Sequence, residues 1–219
     1  MRKKVAIVKT KVAIVGASMS GDKAPYDDPA WEIWTMNERA LSRYDVMFEL
    51  HPLTKDVQNE RELEFLRNCE TPVYVLSQKD AKKIGIKNPI EYPYKDILKK
   101  PWVIPYFTCT MAYQIALAIY MGFETIGLWG LRMDIGSPRE RTIESACIQA
   151  WVGIAKGKGI EVIWDEHPMH QRLLYGYDYF EEIKAIDSWL YELGIHIIFR
   201  LGYKHISVGG DNDPIRRLK

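Results

Sequence analysis

Three stretches of this chain combine a glycine turn or a helix mouth with side chains that can hold or move a charged group. The first is "VAIVGASMSG", where an apolar run stops at Gly16 and is followed by Ala17, Ser18 and Ser20. Backbone N–H groups in such a turn, with the two serine hydroxyls, hold phosphate oxygens without a charged side chain. The frame Gly16-x-Ser18-x-x-Gly21 keeps the outer glycines of the dinucleotide pattern but has serine at its middle position, where close pyrophosphate approach wants no side chain. Pro25 and Pro29 stand where that pattern would run its long helix. The second stretch, "YFTCTMAYQIALAI", puts Thr108 and Thr110 at the mouth of a helix, where hydroxyls and free N–H groups make an anion or ribose site and where either threonine can also serve as an N-cap. The third is Gly130-Leu131-Arg132-Met133-Asp134, offering a cation for phosphate and a carboxylate for hydroxyls or metal, or else a surface ion pair.

Further candidates stand at the ends of other apolar runs. Asn37 offers an amide donor and acceptor to a base or ribose, or caps a turn. Glu38 is placed where a ribose ligand would stand in the dinucleotide scheme. His51, after "FEL", is a base, a phosphate donor or a structural histidine. Asp165, Glu166, His167 and His170 cluster after the last core strand, but their spacing is not that of HExxH and a third zinc ligand is not identifiable.

These residues need a frame, and the chain supplies one. "VAIV" occurs at 5–8 and at 12–15, and only the second copy is followed by glycine, so the first strand is placed there; residues 1–10 are an added edge strand or a disordered lead. "EIWTM", "DVMFEL", "PVYVL", "TIGLWG" and "IEVIW" are short and apolar on both faces, as buried parallel strands are. "TKDVQNERELEFLRNC" is an amphipathic helix with Val57, Leu63, Leu66 and Phe65 as its inward candidates. "TMAYQIALAIYMG" is a second helix, with Gly122 as its C-cap, and "RERTIESACIQAWVGIAKGKG" a third. Strands alternating with helices predict an α/β fold, a Rossmann-like doubly wound, mostly parallel sheet with helices on both faces. The expected organisation is a nucleotide-binding domain over 1–177 and a C-terminal helical and aromatic extension over 178–219, in which "FEEIKAIDSWLYEL" is a helix and "IHIIFRLGYKHISVGG" a hairpin or a continuing helix. The aromatics of that extension are core or a homo-oligomer contact.

Composition narrows the partners. The chain has 219 residues, 47% hydrophobic and 27% charged, enough for one substantial core. Lys plus Arg number 30 against 29 Asp plus Glu, and a formal charge of +1 gives no global field for nucleic acid or an anionic membrane. No run reaches the ~18 apolar residues of a membrane span. The three cysteines, Cys69, Cys109 and Cys147, are far apart and odd in number, which predicts a reduced, cytoplasmic protein without a disulfide framework.

The order "VAIVGAS", "WTMNE", "FELHP" and "YFTCTMAYQIALAIYMGFETIGLWG" resembles the fold shared by small bacterial sialyltransferases and archaeal hydroxymethylpterin diphosphokinase-like proteins. It is similar also to phage proteins carrying a "YDDPxWEIWxxN" stretch. The likeness spans about residues 11–165. In the sialyltransferases the corresponding motifs bind a cytidine nucleotide. Carried over, the resemblance implies that Gly16 and Ser18 meet phosphate, Asn37 the ribose or base, and Thr108 and Thr110 the nucleotide. It implies a mononucleotide or nucleotide-sugar site rather than one for NAD. The chain departs from that family in lacking Gly-Pro in the first turn and in reading Gly130-Leu131-Arg132 where the family has Gly-Ile-Asp. The family's histidine base has no counterpart in "RERTIESACIQAW", where Glu144 lies nearest.

The expectation is therefore a nucleotide-dependent transferase, a glycosyltransferase using a nucleotide-activated sugar and requiring no cofactor. Arg132 would offset charge on the leaving phosphate, and His51, Glu144 or His167 would deprotonate an acceptor whose identity stays open. Two rivals stand beside it. One is a diphosphokinase using ATP and Mg²⁺ held by Asp134 and Glu49; the other is a non-catalytic nucleotide-binding or assembly protein. Because the first turn would act by close backbone approach, Gly16→Val is expected to remove nucleotide binding and leave the fold largely intact.

Overall fold

The computed structural model describes residues 10–36, 41–53, 60–131, 137, 139–164, 195–200 and 203–208. Seven strands form one sheet: β1 (Lys11–Val15), β2 (Trp31–Met36), β3 (Val46–Glu49), β4 (Val73–Val75), β5 (Pro89–Glu91), β6 (Thr125–Trp129) and β7 (Glu161–Trp164). Their order is β5-β4-β3-β2-β1-β6-β7 and every pairing is parallel. The chain is thus an α/β Rossmann-like fold, and the direction of winding reverses between β1 and β6.

Alternation along the central strands shows why both faces must be covered. Val12 and Ile14 of β1, Trp34 and Met36 of β2, and Val46 and Phe48 of β3 join one cluster with α3 (Tyr94–Leu98), α4 (Thr110–Met121) and α5 (Ser145–Gly157). Ala13, Val15, Trp31 and Ile33 pack on the other face around the chain that follows β1, and Met47, Val73 and Val75 pack there against α1 (Glu60–Asn68) and α2 (Gln78–Ile84). Leu63 and Leu66 are the buried residues of α1, as its periodicity predicts. Val57 lies outside the described residues. Residues i and i+2 share a face of a strand, so an apolar residue at nearly every position is what a sheet covered twice requires. The two edges are the exceptions: among the described residues β5 and β7 each pair on one side only, and both are partly exposed.

No long helix follows β1. A five-residue 3-10 turn, Met19–Lys23, leads instead into the proline-bearing loop. Arg43 fixes that loop: its guanidinium donates to the carbonyls of Tyr26 (2.8 Å), Asp28 (3.3 Å) and Trp31 (2.6 Å) and pairs with Asp45 at 2.9 Å. The planar fork of donors suits several carbonyls at once. Tyr26 closes the loop from the other side, its hydroxyl donating to Gly21 O at 2.8 Å. The "YDDPAWEIW" stretch therefore serves an ordered crossover in place of the Rossmann helix.

The chain divides into two compact units, Met1–Pro168 and Met169–Lys219. In the second, β8 (Ile195–Arg200) and β9 (Tyr203–Val208) form an antiparallel hairpin, which decides between the two readings of that stretch. The helix expected at "FEEIKAIDSWLYEL" and the strand at 5–8 lie outside the described residues. The three cysteines are free. Among the described residues no helix is long and apolar enough to cross a membrane.

Candidate functional site

In an open parallel sheet the carboxyl ends of the strands, near the reversal of winding, are where ligands bind. Here the reversal point is closed by backbone. Gly16 N–H donates to Trp129 O (2.8 Å) and Ser18 N–H to Gly130 O (3.0 Å), while Gly130 N–H donates to the buried Ser20 Oγ at 2.8 Å. A Cβ on Gly16 would meet the Leu131 side chain and lie 2.5 Å from Gly130 O. One on Gly130, whose φ is +67°, would lie 2.5 Å from Gly16 O and 3.1 Å from Ser18 O.

In the turn expected to meet phosphate, these backbone groups therefore bond within the protein. The amides of Gly16, Ser18 and Gly130 are hydrogen-bonded within the protein, and both glycines are required because two strand ends touch. The expectation that Gly16→Val would leave the fold largely intact is corrected, since the added side chain would drive into Gly130. Ala17, exposed at the tip, is the residue of Gly16-Ala17-Ser18 whose amide has no protein partner among the described residues.

The helix mouth lies at the same edge. Gly122 ends α4, and the chain passes through Phe123 into the start of β6, so α4 runs back against the strands. Its twelve residues, about 18 Å at 1.5 Å each, bring Thr110 to the carboxyl edge. Gln114 confirms the direction by donating through Nε2 to Thr35 O near the end of β2, at 3.2 Å. The N-cap of α4 is Cys109, without a side-chain cap, rather than either threonine. Burial pushes the Cys109 thiol up to about 12, so it is no thiolate nucleophile at neutral pH.

Thr108 and Glu144 are brought together here by Arg139, which donates to Glu144 Oε1 at 3.0 Å and to Thr108 O at 3.3 Å. Glu144 ends a π-helical turn, Glu140–Glu144, that leads into α5. Three buried oxygens at this edge, Thr35 Oγ1, Thr108 Oγ1 and Gln114 Oε1, have no hydrogen-bond partner among the described residues. Buried polar atoms without partners are uncommon and call for an explanation.

The most developed chemistry is at the end of β3. Glu49 is buried, its side chain 8% exposed, and one of its oxygens lies 2.9 Å from His51 N and 2.7 Å from His51 Nδ1. The imidazole itself is 57% exposed. An ionised carboxylate can only accept, so opposite one Nδ1 carries the proton, and a neutral ring then keeps its lone pair on Nε2. The strand dictates this arrangement: Glu49 and His51 are two residues apart where β3 ends, and the side chain that turns inward holds the one that turns out. The sequence offers His51 as one of three candidate bases and Glu49 as an Mg²⁺ ligand of the diphosphokinase alternative; the structure joins Glu49 to His51 by hydrogen bonds. Asn37, Glu38, Arg132, Asp134, Asp165, Glu166, His167 and His170 lie outside the described residues.

No protein-family profile matches this chain, and no curated protein matches it. Among solved structures, the sialyltransferase CstII in complex with trisaccharide acceptor and CMP is similar over 70% of this chain and 80% of its own, at 15% identity and a TM-score of 0.46. CstII from Campylobacter jejuni in complex with a substrate analogue, CMP-3FNeuAc, is similar over 70% and 79%, at 15% identity and a TM-score of 0.47.

Proposed function

We propose that this chain is a glycosyltransferase that takes a nucleotide-activated sugar and uses His51, oriented by Glu49, as its general base. The observation that carries the reading is the double hydrogen bond from one residue, His51, to one buried carboxylate oxygen. It fixes the ring in one tautomer and presents Nε2 at the edge where such folds bind ligands.

The step follows from that geometry. An acceptor hydroxyl gives its proton to Nε2 as its oxygen bonds to the anomeric carbon of the donor, and the bond from that carbon to the phosphate oxygen breaks with the electron pair leaving on phosphate. The mouth of α4, with Thr108 and Thr110, and the amide of Ala17 are the described groups that would meet the nucleotide. Arg132 and Asn37 are proposed beside them from the sequence, the former to offset charge on the leaving phosphate. No metal is required in this scheme.

The tautomer is directly measurable. In ¹⁵N-histidine-labelled protein, with the His51 signal assigned by its loss in His51→Asn, the neutral ring should carry its proton on Nδ1 and show Nε2 as the unprotonated nitrogen. A neutral ring protonated on Nε2 would remove His51 from the role of base.

A further inference from the structure

A second feature opens beside the dyad. The strand register carries Glu49 of β3 to Val75 of β4 and Val75 to Glu91 of β5. Past those ends lies a cleft of about 620 Å³, lined by Leu76, Glu91, Tyr92, Tyr94, Asp96 and Tyr113. Its volume is that of a small-molecule site. Glu91 is two strand positions from Glu49, about 10 Å at the usual strand spacing, and that is comparable to the length of a disaccharide.

The lining points to the chemistry of the ligand. Tyr92 is buried, and its hydroxyl donates to Tyr113 O at 2.8 Å. Tyr94 and Leu76 are 38% and 46% exposed, so the walls present apolar surface to the cleft. The hydroxyls of Tyr94 and Tyr113 have no hydrogen-bond partner among the described residues, so the walls offer both apolar faces and donors. Burial, with Tyr94 as a lesser cause, raises the Tyr113 phenol above its ordinary value, which keeps it a donor.

Two classes of ligand fit poorly. A planar base held between rings needs two parallel faces about 7–8 Å apart, twice a van der Waals contact. Instead Tyr94 and Tyr113 have centroids 6.2 Å apart at 43°, and Tyr92 stands at 86° to Tyr113 with centroids 5.2 Å apart. A polyanion needs an excess of cations, and the rim has charges of both signs: Glu91 and Asp96 beside Lys95, with Lys99 paired to Asp96 at 3.0 Å. A neutral, non-planar ring with hydroxyls around its edge and C–H groups on its faces suits inclined aromatics and a mixed rim.

We propose that the cleft is a saccharide site, which holds the acceptor as a pyranose ring packed on Tyr94 and Tyr113, with its hydroxyls on Glu91, Asp96 and Lys95. As the acceptor's place, it rests on the glycosyltransferase reading; as a binding site it stands apart from turnover. From here the far ring of a disaccharide reaches toward His51 Nε2.

The test is binding by the full chain without donor, read by saturation-transfer NMR and calorimetry, with lactose, maltose and cellobiose as saccharide probes and CMP as the nucleotide probe. At least one disaccharide should bind at millimolar concentration. Tyr94→Ala should weaken it about tenfold, and Glu91→Gln, which keeps an oxygen for the Gln78 N–H, about threefold. Failure of all three disaccharides, affinity untouched by both cleft variants, or CMP binding lost in Tyr94→Ala would each overturn the assignment. Because no turnover is involved, an absence of transfer chemistry would sink the functional reading and leave the cleft standing.

Discussion

Replacing His51 by Asn should lower kcat by about 10²–10⁴-fold, the usual contribution of a positioned general base, with KM for the donor nearly unchanged. The split follows from where the residue acts. His51 is largely exposed and meets Glu49 rather than the mouth of α4, so its loss removes an interaction made as the acceptor proton moves, not one that holds the nucleotide. Glu49→Leu should show a similar split with a smaller loss, because the imidazole remains but is no longer held in one tautomer. Steady-state kinetics on both variants, with melting curves to show that they fold, reads the effect. A rise in KM at constant kcat in His51→Asn would make the residue a binding contact instead.

The largest effect on stability should come from Gly130→Ala. Two costs add at this position. The backbone there has φ +67°, and a Cβ would lie 2.5 Å from Gly16 O and 2.9 Å from Gly16 C, which are backbone atoms that cannot step aside. A strained conformation costs about 1–3 kcal/mol and overpacking a similar amount, so a loss of about 3–5 kcal/mol is expected. For a chain of this length that lowers Tm by about 8–15 °C. Gly122→Ala is the control: φ is +83°, but nothing lies within 4 Å of the added Cβ, so only the left-handed backbone term of about 1–2 kcal/mol applies. Equal losses in the two variants, measured by urea unfolding, would mean that the strand ends do not touch as described.

The two predictions mark where the sequence was readable. Strands and helices that bury a run of apolar residues left a local pattern, and the choice of "VAIV" at 12–15 rested on one following glycine that did mark the end of β1. Three elements left none. β5 has three residues, begins with Pro89 and exposes Ile90, α3 is five residues long, and the polar α2 turns inward on little more than Ala81. Glycine at position 16 was legible as a need, but its cause was not. The atom it must avoid belongs to Gly130, which only the pairing of β1 with β6 brings near. The histidine was visible and its partner could have been: "ELH" after an apolar run puts the carboxylate within reach of the ring two residues on. The cleft had no signal of its own, because only the fold brings Leu76 and Tyr113 to the stretch 91–96.

Transfer of a sugar from a nucleotide at this edge of the sheet is open to assay. Its most direct measurement incubates the wild-type chain in EDTA with CMP-, UDP- and GDP-activated sugars and a panel of disaccharide acceptors, and follows free nucleotide and acceptor mass together. One donor should release its nucleotide without added metal, with an acceptor gaining the mass of one glycosyl unit and both signals falling in His51→Asn. Turnover of no donor, or turnover in His51→Asn equal to wild type, would contradict it.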